Sequence, residues 1–205
     1  MGVPFAHIVG PRDLPTRTAD LRSGRPGDVD AAATASPQAT LRVAVLTISD
    51  ATSRGARADG SGDAVVEWIE AVDGQLAARA VVSDDVVPIA RQLLAWCDGD
   101  VADLVLTTGG TGLSARDVTP DATRAVIERE AIGIAERLRT VTGATFPRAA
   151  LSGGVAGVRH RTLIVNLPGS TRGVRDMLAA LEPIVEHAVD ILRGATTDHG
   201  AVEQP

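Results

Sequence analysis

The chain has 205 residues, a net charge of −6, and 44% apolar against 22% charged residues, which describes a globular domain and excludes both a disordered chain and a basic duplex-binding protein. All 20 basic residues are Arg, so a Walker A loop and Schiff-base chemistry on a protein lysine are excluded. Phe5, Trp68, Trp96 and Phe146 are too few for a stacking platform, and the single cysteine, Cys97, excludes a CxxC zinc or redox site.

Residues 1–39 hold five of the 11 prolines, and Arg12, Arg17, Arg22 and Arg25 balance Asp13, Asp20, Asp28 and Asp30. No helical or strand period is sustained there, which predicts a disordered N-terminal extension ending in an Ala/Ser/Thr linker. Residues 195–205 read as a short C-terminal tail, leaving one domain over 40–194. No apolar run approaches the ~18 residues of a membrane span. The N-terminus lacks a signal-peptide core. A cytoplasmic protein without membrane or nucleic-acid partners is expected.

The β-branched run 41–48 predicts a buried strand. A polar, Gly-rich loop follows over 49–62, and Val65, Ile69 and Val72 mark a helix over 63–72. Residues 77–82 read as a second strand. Val86, Ala90, Leu93 and Cys97 mark a second helix, with Pro88 in its first turn. A third, wholly apolar strand spans 102–107, followed by a loop over 109–119. Thr119, Pro120 and Asp121 then announce a helix by cap, first-position proline and first-turn acid. Its stripe of Ile127, Ala131, Ile134, Leu138 and Val141 predicts continuous helix to about residue 141. Strands over 149–158 and 162–166 flank an Arg-His-Arg turn, and a last helix carries Val174, Met177, Leu178, Leu181, Val185, Ala188 and Leu192. Strands alternating with helices imply an α/β fold: three layers around a mostly parallel, doubly wound sheet, with a C-terminal hairpin.

In an open α/β sheet, ligands bind beyond the carboxyl ends of the strands. The loops predicted there carry Ser49 and Asp50; Ser83, Asp84 and Asp85; Thr108, Gly109, Gly110, Thr111, Gly112, Ser114, Arg116 and Asp117; and Asn166, Pro168, Gly169 and Ser170. Three glycines leave backbone N–H groups open to an anion, and the hydroxyls add donors, which suits a phosphate. Asp84 and Asp117 beside such a loop point to Mg²⁺ held by carboxylates and nucleotide phosphates. Capping the second helix is an equally ordinary use of Asp84, and closing a turn one of Asp117. Residues 110–115 also fit G-x-G-x-x-G/A, but they follow the third strand. Where the ribose-binding acid belongs, Glu128–Glu130 read as mid-helix, which disfavours a nicotinamide enzyme.

The segments Thr-Thr-Gly-Gly-Thr-Gly at 107–112 and Arg-Asp-Val-Thr-Pro-Asp at 116–121 resemble the signature of the MogA/MoaB family of molybdenum cofactor biosynthesis proteins, which is related to gephyrin and its plant counterpart. The likeness continues at 47–50, 82–85 and 166–170 and covers about residues 41–193. It implies a molybdopterin adenylyltransferase, which transfers AMP from Mg-ATP to molybdopterin and releases pyrophosphate. The product is the intermediate used for molybdate insertion, which makes a molybdate-inserting enzyme a candidate partner. The alternative is a non-catalytic molybdopterin-binding or scaffold member. By resemblance, Asp84 and Asp117 are the catalytic acids. Asp50, Thr108, Gly109, Gly110, Thr111, Gly112, Ser114, Asn166, Pro168, Gly169 and Ser170 contact the substrates. Family members are usually trimers, sometimes hexamers. The chain departs from the pattern at Gly153, where the family has Arg after Leu-Ser, leaving Arg148, Arg159 and Arg161 as candidate replacements. It departs again at Arg57 and Asp63, in place of an aromatic residue and a proline.

Overall fold

Strand β1 (Arg42–Ile48) is apolar on both faces because both are covered. Val43 and Val45 point into a core shared with helices α2 (Gly60–Ala71) and α6 (Thr171–Arg193). Ala44, Leu46 and Ile48 point into a second core under α3 (Val86–Asp98) and α4 (Thr119–Arg124). The same alternation runs along β3 (Leu104–Thr108) and β6 (Thr162–Leu167). These relations come from a computed structural model that describes residues 40–194. The expected extension at 1–39 and the tail at 195–205 lie outside the described residues.

The sheet has six strands in the order β2-β1-β3-β6-β5-β4, where β2 is Gln75–Val82, β4 is Arg129–Glu130 and β5 is Ala156–Arg159. Strands β1, β2, β3 and β6 pair in parallel, while β5 runs antiparallel to both its neighbours. This is the expected mostly parallel, three-layer α/β fold with a hairpin, β5–β6, near its C-terminus.

Two local readings are corrected. Helix α4 ends at Arg124, and the chain then forms β4 before α5 (Ile132–Gly143) begins. The apolar stripe is two stripes. Ile127 packs with the α3–α4 core, whereas Ala131, Ile134 and Leu138 pack with the α2–α6 core on the other face. The chain therefore has to round the sheet edge, and β4 does so with two exposed charged residues that suit an edge strand. Residues 128–130 are thus not helical, and Glu128 N–H donates to the Val158 carbonyl at 2.8 Å. The second correction lies at 149–158, where only 156–158 are strand. Pro147 opens a 3-10 turn over Pro147–Leu151, followed by an irregular stretch. A short helix α1 (Asp50–Ser53) also starts inside the polar loop, capped by the Ser49 side chain.

At the sheet's other end Asp103 ties three elements together. It accepts from the Arg42 backbone N–H at 3.0 Å, from the Arg42 guanidinium at 2.9 and 3.2 Å, and from Arg193 of α6 at 2.6 Å. Burial alone would raise its pKa, but the Arg42 and Arg193 hydrogen bonds outweigh burial and hold the carboxyl at about 2. A lowered folded pKa stabilises fully above the unfolded value of roughly 4 and is lost as pH falls through the folded one. Asp103→Asn is therefore expected to cost on the order of 2 kcal/mol near neutral pH. Urea melts of the two proteins should converge as the pH is lowered toward about 2. A gap that stays constant would assign the loss to packing.

Candidate functional site

Parallel registration sets Ile48 beside Val82, Thr47 beside Thr108, and Thr108 beside Leu167, so the four strand ends open on one edge. After β3 the backbone turns through Gly109 and Gly110, both with positive φ (101° and 61°). A Cβ on Gly109 would strike the Ile48 carbonyl, and one on Gly110 would lie 2.5 Å from Thr119 Oγ1. Thr119 closes the turn. Its hydroxyl donates to the Gly109 carbonyl at 2.9 Å and its N–H to the Gly110 carbonyl at 3.0 Å. The Thr108 hydroxyl is spent on the Pro168 carbonyl at 2.8 Å, which holds the two loops together. Thr111 is nearly buried, and its hydroxyl has no hydrogen bond among the described residues.

Gly110, Thr111, Gly112 and Asp117 form one wall of a cleft of about 390 Å³. Pro168, Gly169, Ser170 and Gly173 bring the N-terminus of α6 to it. The Ser170 side chain caps that helix by accepting from Gly173 N–H at 3.2 Å. A helix N-terminus beside a glycine turn offers unpaired N–H groups and a positive field to an anion. The third wall is the segment 146–152.

The acids divide into two groups. Asp117 accepts from Ser114 Oγ at 2.6 Å and Ser114 N–H at 2.9 Å, and the Ser114 hydroxyl holds its carboxyl below the usual range. Asp84 and Asp50 clasp each other: Asp50 N–H donates to Asp84 Oδ2 at 2.7 Å, and Asp84 N–H to Asp50 Oδ1 at 3.2 Å. Asp50 Oδ2 is ion-paired with Arg116, the neighbour of Asp117, so this pair joins the two groups. Helix α3 is capped by Asp85, which accepts from Val87 N–H at 3.1 Å, so Asp84 is free of that duty. Its Oδ1 has no hydrogen bond among the described residues. Asp50 and Asp84 do not line the cleft.

Asn166 is elsewhere. Only 3% exposed, it donates to Thr107 Oγ1 at 2.9 Å and Thr123 Oγ1 at 3.0 Å, and its Oδ1 accepts from Val155 N–H at 3.2 Å. Among the residues that sequence reasoning missed are Phe146, Leu151, Ser152, Asp176 and Met177 on the cleft walls. Pro147, two residues ahead of the strand expected over 149–158, was the available signal, since a proline suits the first position of a helical turn.

Residues 44–187 match the family model MoCF_biosynth, described as "Probable molybdopterin binding domain". The chain belongs to the MoCF_biosynth family. A Helicobacter pylori (strain J99) family relative named molybdopterin adenylyltransferase is 38% identical over 157 residues, spanning 76% of this chain and 89% of that one. The Escherichia coli K12 protein of the same name is 38% identical over 146 residues, with 70% and 74% covered. Among solved structures, the molybdopterin biosynthesis enzyme MoaB from Thermus thermophilus superposes with a TM-score of 0.72 at 46% identity, covering 76% of this chain and 98% of that one. The matched span includes every site candidate from Asp50 to Ser170 and most of both cores. Among the described residues no helix is long and apolar enough to cross a membrane.

Proposed function

We propose that the protein is a molybdopterin adenylyltransferase of molybdenum cofactor biosynthesis. Relatives of that name at 38% identity over 70% and 76% of the chain support the reaction. The observation that carries the reading is the meeting of the glycine turn, the α6 N-terminus and Asp117 around one cleft, with Asp84 and Asp50 joined to it through Arg116. In the reaction a phosphate oxygen of molybdopterin bonds to the α-phosphorus of ATP. The bond between the α-phosphorus and the bridging oxygen breaks, and pyrophosphate leaves. Little covalent work falls to the protein, which has to align two phosphates and offset their charge. The turn N–H groups and α6 serve one phosphate. Asp84 and Asp117 are the residues that would hold Mg²⁺: Asp84 keeps a carboxylate oxygen without a hydrogen bond among the described residues, and the Ser114 hydroxyl favours the ionised form of Asp117. When bound, that ion offsets charge on the ATP phosphates. Asp50 positions Asp84, and Arg116 orients Asp50. A cytoplasmic homotrimer that passes its product to a molybdate-inserting enzyme completes the reading.

The test is direct. Protein mixed with Mg-ATP and molybdopterin should release pyrophosphate and form adenylylated molybdopterin. Tight pterin binding without pyrophosphate would replace this reading with that of a pterin-binding member without transfer activity.

A further inference from the structure

Charge in the cleft is unevenly placed. Its lining carries two carboxylates, Asp117 and Asp176, and one cation, Arg148. Arg172 lies 3.7 Å from Asp176 and offsets that acid from outside the lining. Arg148 is exposed and has no side-chain hydrogen bond or ion pair among the described residues. The basic residues near it in the chain are all engaged. Arg139 donates to the Gly154 carbonyl at 2.8 Å, Arg159 binds Asp98 at 2.6 and 3.1 Å, and Arg161 donates to the Arg193 carbonyl at 3.0 Å.

The segment that presents Arg148 is well anchored. Phe146 N–H donates to the Thr142 carbonyl at 2.9 Å, Ala149 is buried, and Ser152 N–H donates to the Ala149 carbonyl at 3.1 Å. Gly153 N–H donates to the Thr111 carbonyl at 2.8 Å, which fixes this wall against the glycine turn. Phe146 and Leu151 stay 46% and 56% exposed on the same segment, an aromatic ring and an aliphatic side chain beside a free guanidinium.

We propose that Arg148 binds the phosphate monoester of the pterin substrate and that Phe146 supplies the apolar face for its ring. This rests on the molybdopterin reading above. An anion entering a cleft whose other charged groups are carboxylates needs a cation there, and a guanidinium fork suits a phosphate. Asp84 and Asp50, assigned to the nucleotide and its metal, lie outside the cleft lining and join it at the Asp117 wall through Arg116, so the nucleotide is assigned to that side and the wall that carries Arg148 to the pterin.

Titrations of the full chain with molybdopterin, and separately with Mg-ATP, test this in Arg148→Ala, Arg148→Lys and Phe146→Ala. Arg148→Ala should weaken molybdopterin binding by about 10- to 100-fold and leave Mg-ATP affinity within roughly twofold. Its remaining affinity should depend less on salt. Arg148→Lys should recover part of the loss, since charge remains without the fork. Phe146→Ala should weaken the pterin by about tenfold. The Arg148 side chain makes no bond among the described residues, so its variants should keep the native melting temperature. If native protein binds molybdopterin and Arg148→Ala binds it equally well, the assignment is overturned while the function stands. If Mg-ATP affinity falls in step, Arg148 serves the nucleotide and the pterin assignment is overturned. Native protein that binds no molybdopterin overturns the functional reading and this inference with it.

Discussion

Replacing Asp84 by Asn is expected to cut AMP transfer by about two to three orders of magnitude and leave the melting temperature within a few degrees. The substitution is almost isosteric. The Asn carbonyl can still accept from Asp50 N–H, now at 2.7 Å, and the return bond from Asp84 N–H to Asp50 is donated by the backbone and survives. What is lost is the charge and the uncommitted oxygen, which becomes an NH₂ group unable to ligate a cation. Asp117→Asn should behave in the same way. Its hydrogen bonds from Ser114 can persist on the amide oxygen, while the carboxylate charge that Ser114 stabilises disappears. Single-turnover pyrophosphate release separates the chemical step from product release. Either variant turning over within about threefold of the native rate would remove that acid from the mechanism.

Gly110→Val is expected to cost about 3 kcal/mol and to weaken phosphate binding as well. The residue sits at φ 61°, where a β-branched side chain is strained, and its Cβ would press on the Thr119 hydroxyl. That hydroxyl holds the Gly109 carbonyl, so the clash reaches the turn and the first residue of α4 together. In a domain of this size the melting temperature should fall by roughly 6–12 °C. Thr119→Ala alone should also destabilise, through the lost bond to Gly109. If crowding is the cause, Gly110→Val and Thr119→Ala combined should cost clearly less than their sum. Full additivity would place the strain in the backbone dihedral alone.

The alternation of strands and helices was legible because the central strands are buried on both faces and each long helix carries one stripe. The glycine turn and the start of α4 were legible from local chemistry: Pro120 at the first positions and a glycine pair that only positive φ explains. The break after Arg124 was not. Ile127 and Ala131 are four residues apart and both apolar, yet they face opposite cores, and no helical period reveals that the chain passes around a sheet edge between them. The third wall of the cleft was hidden for a related reason. Residues 149–158 are rich in small apolar residues, which reads as strand, but Pro147 and the bond from Gly153 to Thr111 hold the first half as a turn facing the ligand side. Asp84 and Asp117 were visible as acids after strands. Their connection through Asp50 and Arg116 is a tertiary contact between side chains 66 residues apart.

Asn166 joins β6 to β3, to α4 and to the approach to β5 with one amide. Among the common side chains, a group of this length with both a neutral donor and an acceptor is asparagine alone. Aspartate would put a charge in an interior site, and leucine would strand a backbone N–H and two threonine hydroxyls. Drift at this position is therefore barred by folding, whatever the ligand. In a set of related sequences Asn166 would look as invariant as a residue that touches the reacting phosphate, although its amide is turned wholly inward. Two different pressures, folding and ligand contact, would thus hold residues fixed beside this cleft, and the direction in which a side chain spends its hydrogen bonds tells them apart.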